Sequence, residues 1–220
     1  MKVIAVNGSP RKTWNTAELL KKALEGAAST GADTKLIHLY DLNFKGCTSC
    51  FACKRENSKW VGHCAMKDDL TDVLEEILTS DVLLIGSPIY LWDVTGETRS
   101  FFERLVFANL SYDKSHRSDF AGKISTGFIY TMNITEDMVD QCGYRYIFEA
   151  QQRFLTEILN GTSEYLVTAD TYQFDDYSKY NASKFDERHK AQVKESLFPV
   201  SCQNAFQMGA RLTAELETNK

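Results

Sequence analysis

Five short apolar runs, each separated from the next by a segment of helix length or longer, constrain this 220-residue chain more than any other feature. They are Val3 to Val6, Lys35 to Leu39, Val82 to Ile85, Ile124 to Tyr130 and Tyr165 to Ala169. Strands joined by long helical crossovers run parallel, so this alternation predicts a parallel sheet. The intervening segments supply the helices. Thr16, Leu19, Leu20, Ala23, Leu24 and Ala27 share one helical face, as do Leu70, Val73, Leu74, Ile77 and Leu78, and then Thr98, Phe101, Phe102 and Leu105. Asp68 and Asp69 read as the cap and acidic first turn of the second of these helices. Further helices are expected over Arg145 to Leu159 and Ala205 to Leu216, the last after Pro199 interrupts a charged helical stretch beginning near Phe185. A three-layer α/β fold with five parallel strands and helices on both faces is expected, and right-handed crossovers allow the strand order 2-1-3-4-5.

With 43% hydrophobic residues the chain can bury one substantial core, and residues 1–220 are read as a single domain. Two segments break the pattern: a cysteine-rich insertion over 45–66, and an aromatic loop over 170–184 carrying Tyr172, Phe174, Tyr177 and Tyr180. A net charge of −5, with no basic run, argues against a nucleic-acid surface. No apolar stretch approaches the roughly 20 residues of a membrane span, and the apolar start is too short for a signal peptide, so a cytoplasmic location is expected.

The loop Asn7 to Thr16 joins the first strand to the first helix and brings backbone N–H groups to a helix N-terminus, where an anion is favoured. Ser9, Thr13, Asn15, Thr16 and Arg11 add side-chain donors. The loop holds a single glycine, Gly8, so neither the dinucleotide fingerprint nor the nucleoside-triphosphate loop can be read in it, and a mononucleotide phosphate suits it better. Capping residues beside solvated charges are the plain alternative. The third strand ends in a second loop, Gly86-Ser87-Pro88-Ile89-Tyr90, and parallel strands place both loops at one edge of the sheet.

These motifs resemble the flavodoxin-like NAD(P)H-dependent FMN reductase family, in particular its iron–sulfur flavoprotein branch. The resemblance rests on Gly8-Ser9-Pro10-Arg11-Lys12 with Asn15-Thr16, the cysteine run from Cys47, Lys67-Asp68-Asp69, and Gly86 to Tyr90 continuing to Thr95-Gly96 and Phe101-Phe102-Glu103-Arg104. It implies that Ser9, Arg11, Lys12, Asn15 and Thr16 hold the FMN phosphate. Pro88, Ile89, Tyr90, Leu91 and Trp92 would contact the flavin ring, and Thr131, Met132 and Asn133 would complete its site. The implied activity takes hydride from NAD(P)H, a transient cosubstrate, and reduces a quinone, flavin, metal, nitroaromatic or protein acceptor. Two rival readings are an iron–sulfur flavoprotein relaying electrons between ferredoxin and FMN, and a non-catalytic flavin-binding redox module. Tyr90 and His116 are candidate proton donors to a reduced acceptor. A homodimer or homotetramer is expected, with the aromatic loop meeting the partner.

Cys47, Cys50 and Cys53 recur every three residues and Cys64 follows after ten more, a set able to ligate a [4Fe–4S] cluster. The last interval is longer than in the branch it resembles. Zinc with His63 as a spare ligand, or cysteines that hold no metal, are the alternatives. Cys142 and Cys202 stand alone and read as packing residues.

Overall fold

The structure is a computed structural model that describes residues 1–217. Strand β1 (Lys2–Asn7) leads into helix α1 (Asn15–Ser29), then β2 (Asp33–His38), α2 (Leu70–Leu78) and β3 (Val82–Tyr90). A two-residue strand β4 (Asp93–Val94) folds back on β3, followed by α3 (Gly96–Asn109), β5 (Ile124–Thr131), α4 (Glu136–Gln141) and α5 (Tyr144–Leu159). Strand β6 (Asn160–Thr168), α6 (Glu187–Ser196) and α7 (Phe198–Glu217) complete the order. The long strands pair in parallel as β2-β1-β3-β5-β6, which is the expected 2-1-3-4-5 arrangement with β4 added as an antiparallel appendage to β3.

The pleat divides the central strands between two cores. Ile4, Val6, Leu83, Ile85, Phe128 and Tyr130 face α2, α3 and α5, burying Leu74, Ile77, Phe101, Leu105, Phe148 and Leu155. Val3, Ala5, Val82, Leu84 and Ile129 face α1 and α7, burying Leu19, Leu20, Ala23, Met208 and Leu212. Both faces being covered explains why β1 and β3 read as continuous apolar runs rather than alternating ones.

Three element boundaries differ from expectation. Strand β6 starts at Asn160, five residues early, because Asn160 takes a left-handed backbone (φ 59°) that turns α5 straight into the strand. Its first half is polar and lies on the sheet edge, so it carried no apolar signal. Helix α7 begins at Phe198, with Pro199 in its first turn, where the missing N–H costs no helical hydrogen bond. Asp69 does not cap α2: its carboxylate accepts from Asn43 N at 2.8 Å, while Asp68 Oδ1 accepts from Leu70 N at 3.1 Å.

The cysteine-rich insertion lies against α3. Lys54 fastens it there, its Nζ donating to the carbonyls of Ala108 (3.1 Å) and Leu110 (2.5 Å) that the end of that helix leaves free. Among the described residues no helix is long and apolar enough to cross a membrane.

Candidate functional site

A cleft enclosing about 510 Å³ of empty space opens at the C-terminal ends of β1, β3 and β5, where the chain reverses direction across the sheet between β1 and β3. Ser9, Arg11, Trp14, Asn15 and Thr16 line it from the opening loop, Pro88, Ile89 and Tyr90 from the end of β3, and Thr131, Asn133, Thr171 and Gln173 from the far side. Arg11 is the one charged side chain in this lining; no aspartate, glutamate or histidine belongs to it.

The opening loop is held by its own network of hydrogen bonds. Asn7 is fully buried and its Oδ1 accepts from Ser9 N at 3.1 Å, while Ser9 Oγ accepts from Arg11 N at 3.1 Å. His38, at the end of β2, meets Asn7 Nδ2 through Nδ1 at 2.9 Å, so the neutral ring accepts this bond. Burial lowers the His38 pKa below its ordinary 6.5, with Lys12 adding to the effect and Asp41 opposing it. Thr95 caps α3 and donates to Gly8 O at 2.6 Å, and Gly8 N donates to Gly86 O at 2.8 Å. A side chain at position 8 has no room, since a Cβ there would sit 1.7 Å from Thr98 Oγ1.

Helix α1 starts at the floor of the cleft. Its cap residue, Trp14, makes no side-chain capping bond, so the N–H groups of the first turn retain their capacity for an anion. Thr16 is buried and shares a hydrogen bond of 2.7 Å with Thr131 Oγ1 across the cleft floor. Arg11 stacks on Trp14 with its guanidinium carbon 4.3 Å from the ring centroid, and donates to Gln173 O.

The aromatic loop closes the far side of the cleft. Phe174 stacks on Tyr180 at 4.2 Å, Tyr177 meets Tyr172 and Phe174 edge-on, and the Tyr172 carbonyl accepts from Asn15 Nδ2 (2.9 Å) and Trp14 Nε1 (3.2 Å). Helix α6 braces the same wall. Lys190 is 4% exposed, donates to Asn133 O at 2.7 Å and pairs with Asp170. Asn133 itself bonds Gln173 through Nδ2 at 2.8 Å, leaving a buried Oδ1 with no partner.

Four residues assigned by resemblance lie outside this lining. Lys12 pairs with Asp41 on the surface, and Met132 is buried with its backbone tied to Thr168 and Thr171. Leu91 and Trp92 form the tip of the β3–β4 hairpin at positive φ (48° and 73°), a backbone that suits asparagine and glycine. Leu91 is 95% exposed, and Trp92 stacks on Tyr144 beside a separate apolar groove between α3 and α5. His116 bonds Ser111 and Asp119 on an exposed loop and does not reach the cleft. Conversely, Trp14, Thr171 and Gln173 line the cleft without having been singled out, and Asn7, His38 and Lys190 support it. Asn7 and Trp14 lie within the loop Asn7 to Thr16 itself, whereas Thr171, Gln173, His38 and Lys190 reach the cleft from chain segments that only folding brings together.

The four cysteines of the insertion line one small pocket with Thr48, Phe51, Ala65, Met66, Phe107, Ala108, Glu103 and Arg104. Left-handed backbone at Ser49 and Phe51 (φ 53° and 56°) coils the segment between them. All four thiols are free, and among the described residues no three His, Cys, Asp or Glu side chains stand in metal-ligating geometry. Burial raises the Cys53 pKa, with Lys54 opposing. His63 Nδ1 meets Glu75 at 2.9 Å, and His63 does not line the pocket.

Three comparisons bear on these sites. The family model described as NADPH-dependent FMN reductase matches residues 1–141. An iron-sulfur flavoprotein of Archaeoglobus fulgidus is 35% identical over 127 residues, 58% of this chain and 60% of that protein. One from Methanocaldococcus jannaschii is 35% identical over 104 residues, 47% of this chain and 51% of that protein. These matches therefore span between half and three-fifths of the curated relatives. Among solved structures, an NAD(P)H:quinone oxidoreductase from Methanothermobacter marburgensis superposes with a TM-score of 0.71 at 17% identity, covering 96% of this chain and 98% of that one. The azoreductase AzrA superposes at 0.64 with 8% identity, covering 96% and 100%. At such low identities these superpositions show a shared flavodoxin-like fold and no more.

Proposed function

The chain belongs to the NADPH-dependent FMN reductase family of flavin-dependent oxidoreductases, and we propose that its cleft binds FMN and that the protein passes electrons from NAD(P)H to a small-molecule acceptor or a redox protein. The observation that carries this reading is the composition of the cleft: one cation, an uncapped helix N-terminus, several amides and hydroxyls, and no acidic or imidazole side chain. Such a lining suits a phosphate monoester at one end and leaves no group for acid–base catalysis by carboxylate or histidine. When bound, flavin supplies the hydride and electron chemistry.

The residues present fit FMN. Ser9, Asn15, Thr16 and Arg11 would hold the phosphate with the first-turn N–H groups of α1, as charge-assisted hydrogen bonds. Pro88, Ile89 and Tyr90 would bound one edge of the ring, and the unpartnered Asn133 Oδ1 is an acceptor suited to a ring N–H. The aromatic loop would hold Asn15 in place at the phosphate end, and α6 would hold Asn133 in place at the ring. Titrating apo-protein with FMN while following flavin fluorescence should give saturable quenching at one FMN per chain. Anaerobic addition of NADH or NADPH should then bleach the oxidised flavin absorbance; no bleaching with either would sink the proposed activity.

A second group is favoured by a specific observation. Four thiols share one pocket with a buried guanidinium that retains an unpartnered nitrogen, a donor set that fits an anionic iron–sulfur cluster. We propose Cys47, Cys50, Cys53 and Cys64 as its ligands. Iron and sulfide analysis of anaerobically prepared protein tests this. We also propose a homodimer or homotetramer, for which the apolar groove lined by Trp92, Phe102, Phe107, Tyr146 and Phe154 is available. Light scattering that finds a monomer at micromolar concentration would count against it.

A further inference from the structure

Arg104 is the largest fully buried side chain of the described residues, 1% exposed on the inner face of α3. Burying a guanidinium is costly unless its charge is balanced and its N–H groups are bonded. Asp68 meets part of that demand, accepting from Nη1 at 2.5 Å, and the Lys45 carbonyl accepts from the same nitrogen at 3.2 Å. Nε donates to Cys64 Sγ at 3.3 Å. Nη2 is buried and finds no protein acceptor. Leaving such a donor unmet is costly, the more so for a charged group. Arg104 also lines the pocket shared by the four thiols, whose other walls include the apolar Phe51, Ala65, Met66, Phe107 and Ala108.

Resting on the reading that these cysteines hold an iron–sulfur cluster, we infer that Arg104 is a positioning residue for it: its guanidinium supplies the N–H donors and the positive charge that seat the cluster beside Cys64 and raise its reduction potential. Thiolate and sulfide sulfurs accept weak hydrogen bonds, so the cluster provides the partner that Nη2 lacks within the protein. Adding one electron makes the cluster more negative. A fixed cation in a largely apolar wall stabilises that reduced form, and N–H···S bonds act in the same direction. Asp68 offsets part of the charge, and Glu103, which lines the same pocket, works against it. The donors of Arg104 therefore matter beyond its charge. Lysine would keep the charge as a compact ammonium but lose the planar fork that reaches Asp68, Cys64 and the pocket together.

The test compares wild type, Arg104→Lys and Arg104→Gln, each prepared anaerobically with FMN. Iron and sulfide are counted per chain, the midpoint potential of the cluster is measured by EPR-monitored titration, and iron release to a chelator is timed. FMN content and thermal unfolding report whether each variant is folded. Arg104→Lys should retain the cluster with a more negative potential and release iron at least tenfold faster; Arg104→Gln should shift the potential further. If Arg104→Gln fails to fold, the lysine variant alone carries the test. A folded Arg104→Lys protein with full iron and wild-type potential overturns the inference while leaving the cluster reading intact. Wild type that holds FMN but neither iron nor sulfide overturns both.

Discussion

The polar cleft and the cysteine pocket sit at the two ends of what α3 organises, and they are built on opposite principles. At the cleft, Thr95 at the start of α3 ties Gly8 into place, Asn7 holds Ser9, and Thr16 meets Thr131, so the loop keeps its shape through its own hydrogen bonds. At the cysteine pocket, farther along the same helix, the thiols are free, no ligating geometry is formed, and Arg104 keeps an unmet donor. The cleft is held by a connected set of hydrogen bonds, whereas the cysteine pocket keeps one buried guanidinium nitrogen without a protein partner.

This contrast predicts independent failure of the two sites. Replacing Cys53 and Cys64 by serine should abolish iron binding outright while leaving FMN affinity within about twofold, because no cysteine lines the cleft. Metal analysis beside a flavin titration measures both. Loss of FMN from that variant would show the sites to be coupled. Next in size, Asp68→Asn removes one partner of the buried Arg104 pair and should cost about 3 kcal/mol in urea unfolding. Near wild-type stability would mean that the guanidinium has another counter-charge.

Gly8→Ala should cost about 1–3 kcal/mol and weaken FMN retention, since the added methyl enters Thr98. Adding Thr98→Ala should restore part of both, and a single variant indistinguishable from wild type would show the loop to be less constrained than its contacts suggest. At the phosphate end, Arg11→Ala with Thr16→Ala should weaken FMN binding at least tenfold, about 1.4 kcal/mol, with iron content unchanged. Unchanged affinity would remove these residues from the phosphate site.

The smallest effect is one of pH. The folded-state pKa of His38 lies below its ordinary 6.5, so its contribution is present above that value and is lost as the pH falls through the lowered pKa. Protonation also removes the acceptor that Asn7 Nδ2 uses. FMN retention should therefore decline modestly on acidification below pH 6.5, and His38→Gln should flatten that part of the profile. An unaltered profile in the variant would place the titrating group elsewhere.

Sequence patterning located the central elements well because they are governed locally. Strands β1 and β3 are covered on both faces and so are written as continuous apolar runs, while α1, α2 and α3 show one apolar stripe each. The start of β6 was missed because an edge strand needs no apolar signature and its entry depends on the backbone of Asn160. Within the site, Ser9, Arg11, Asn15, Thr16, Pro88, Ile89, Tyr90, Thr131 and Asn133 were legible as loop residues at strand ends, and they share one cleft. Leu91 and Trp92, which follow Tyr90, stand at positive φ in a two-residue hairpin and are not part of that lining.

The chain's own order of residues thus determined the parallel sheet and the meeting of two loops at one sheet edge, since these follow from apolar periodicity and long crossovers, and it allowed the strand order that the fold adopts. Tertiary structure alone decided that the aromatic loop folds back on Asn15, that Lys190 braces Asn133, and that Arg104 meets Cys64 across 40 positions. Those contacts join side chains far apart along the chain. Their energy comes from burial and charge balance, which no local pattern of residues encodes.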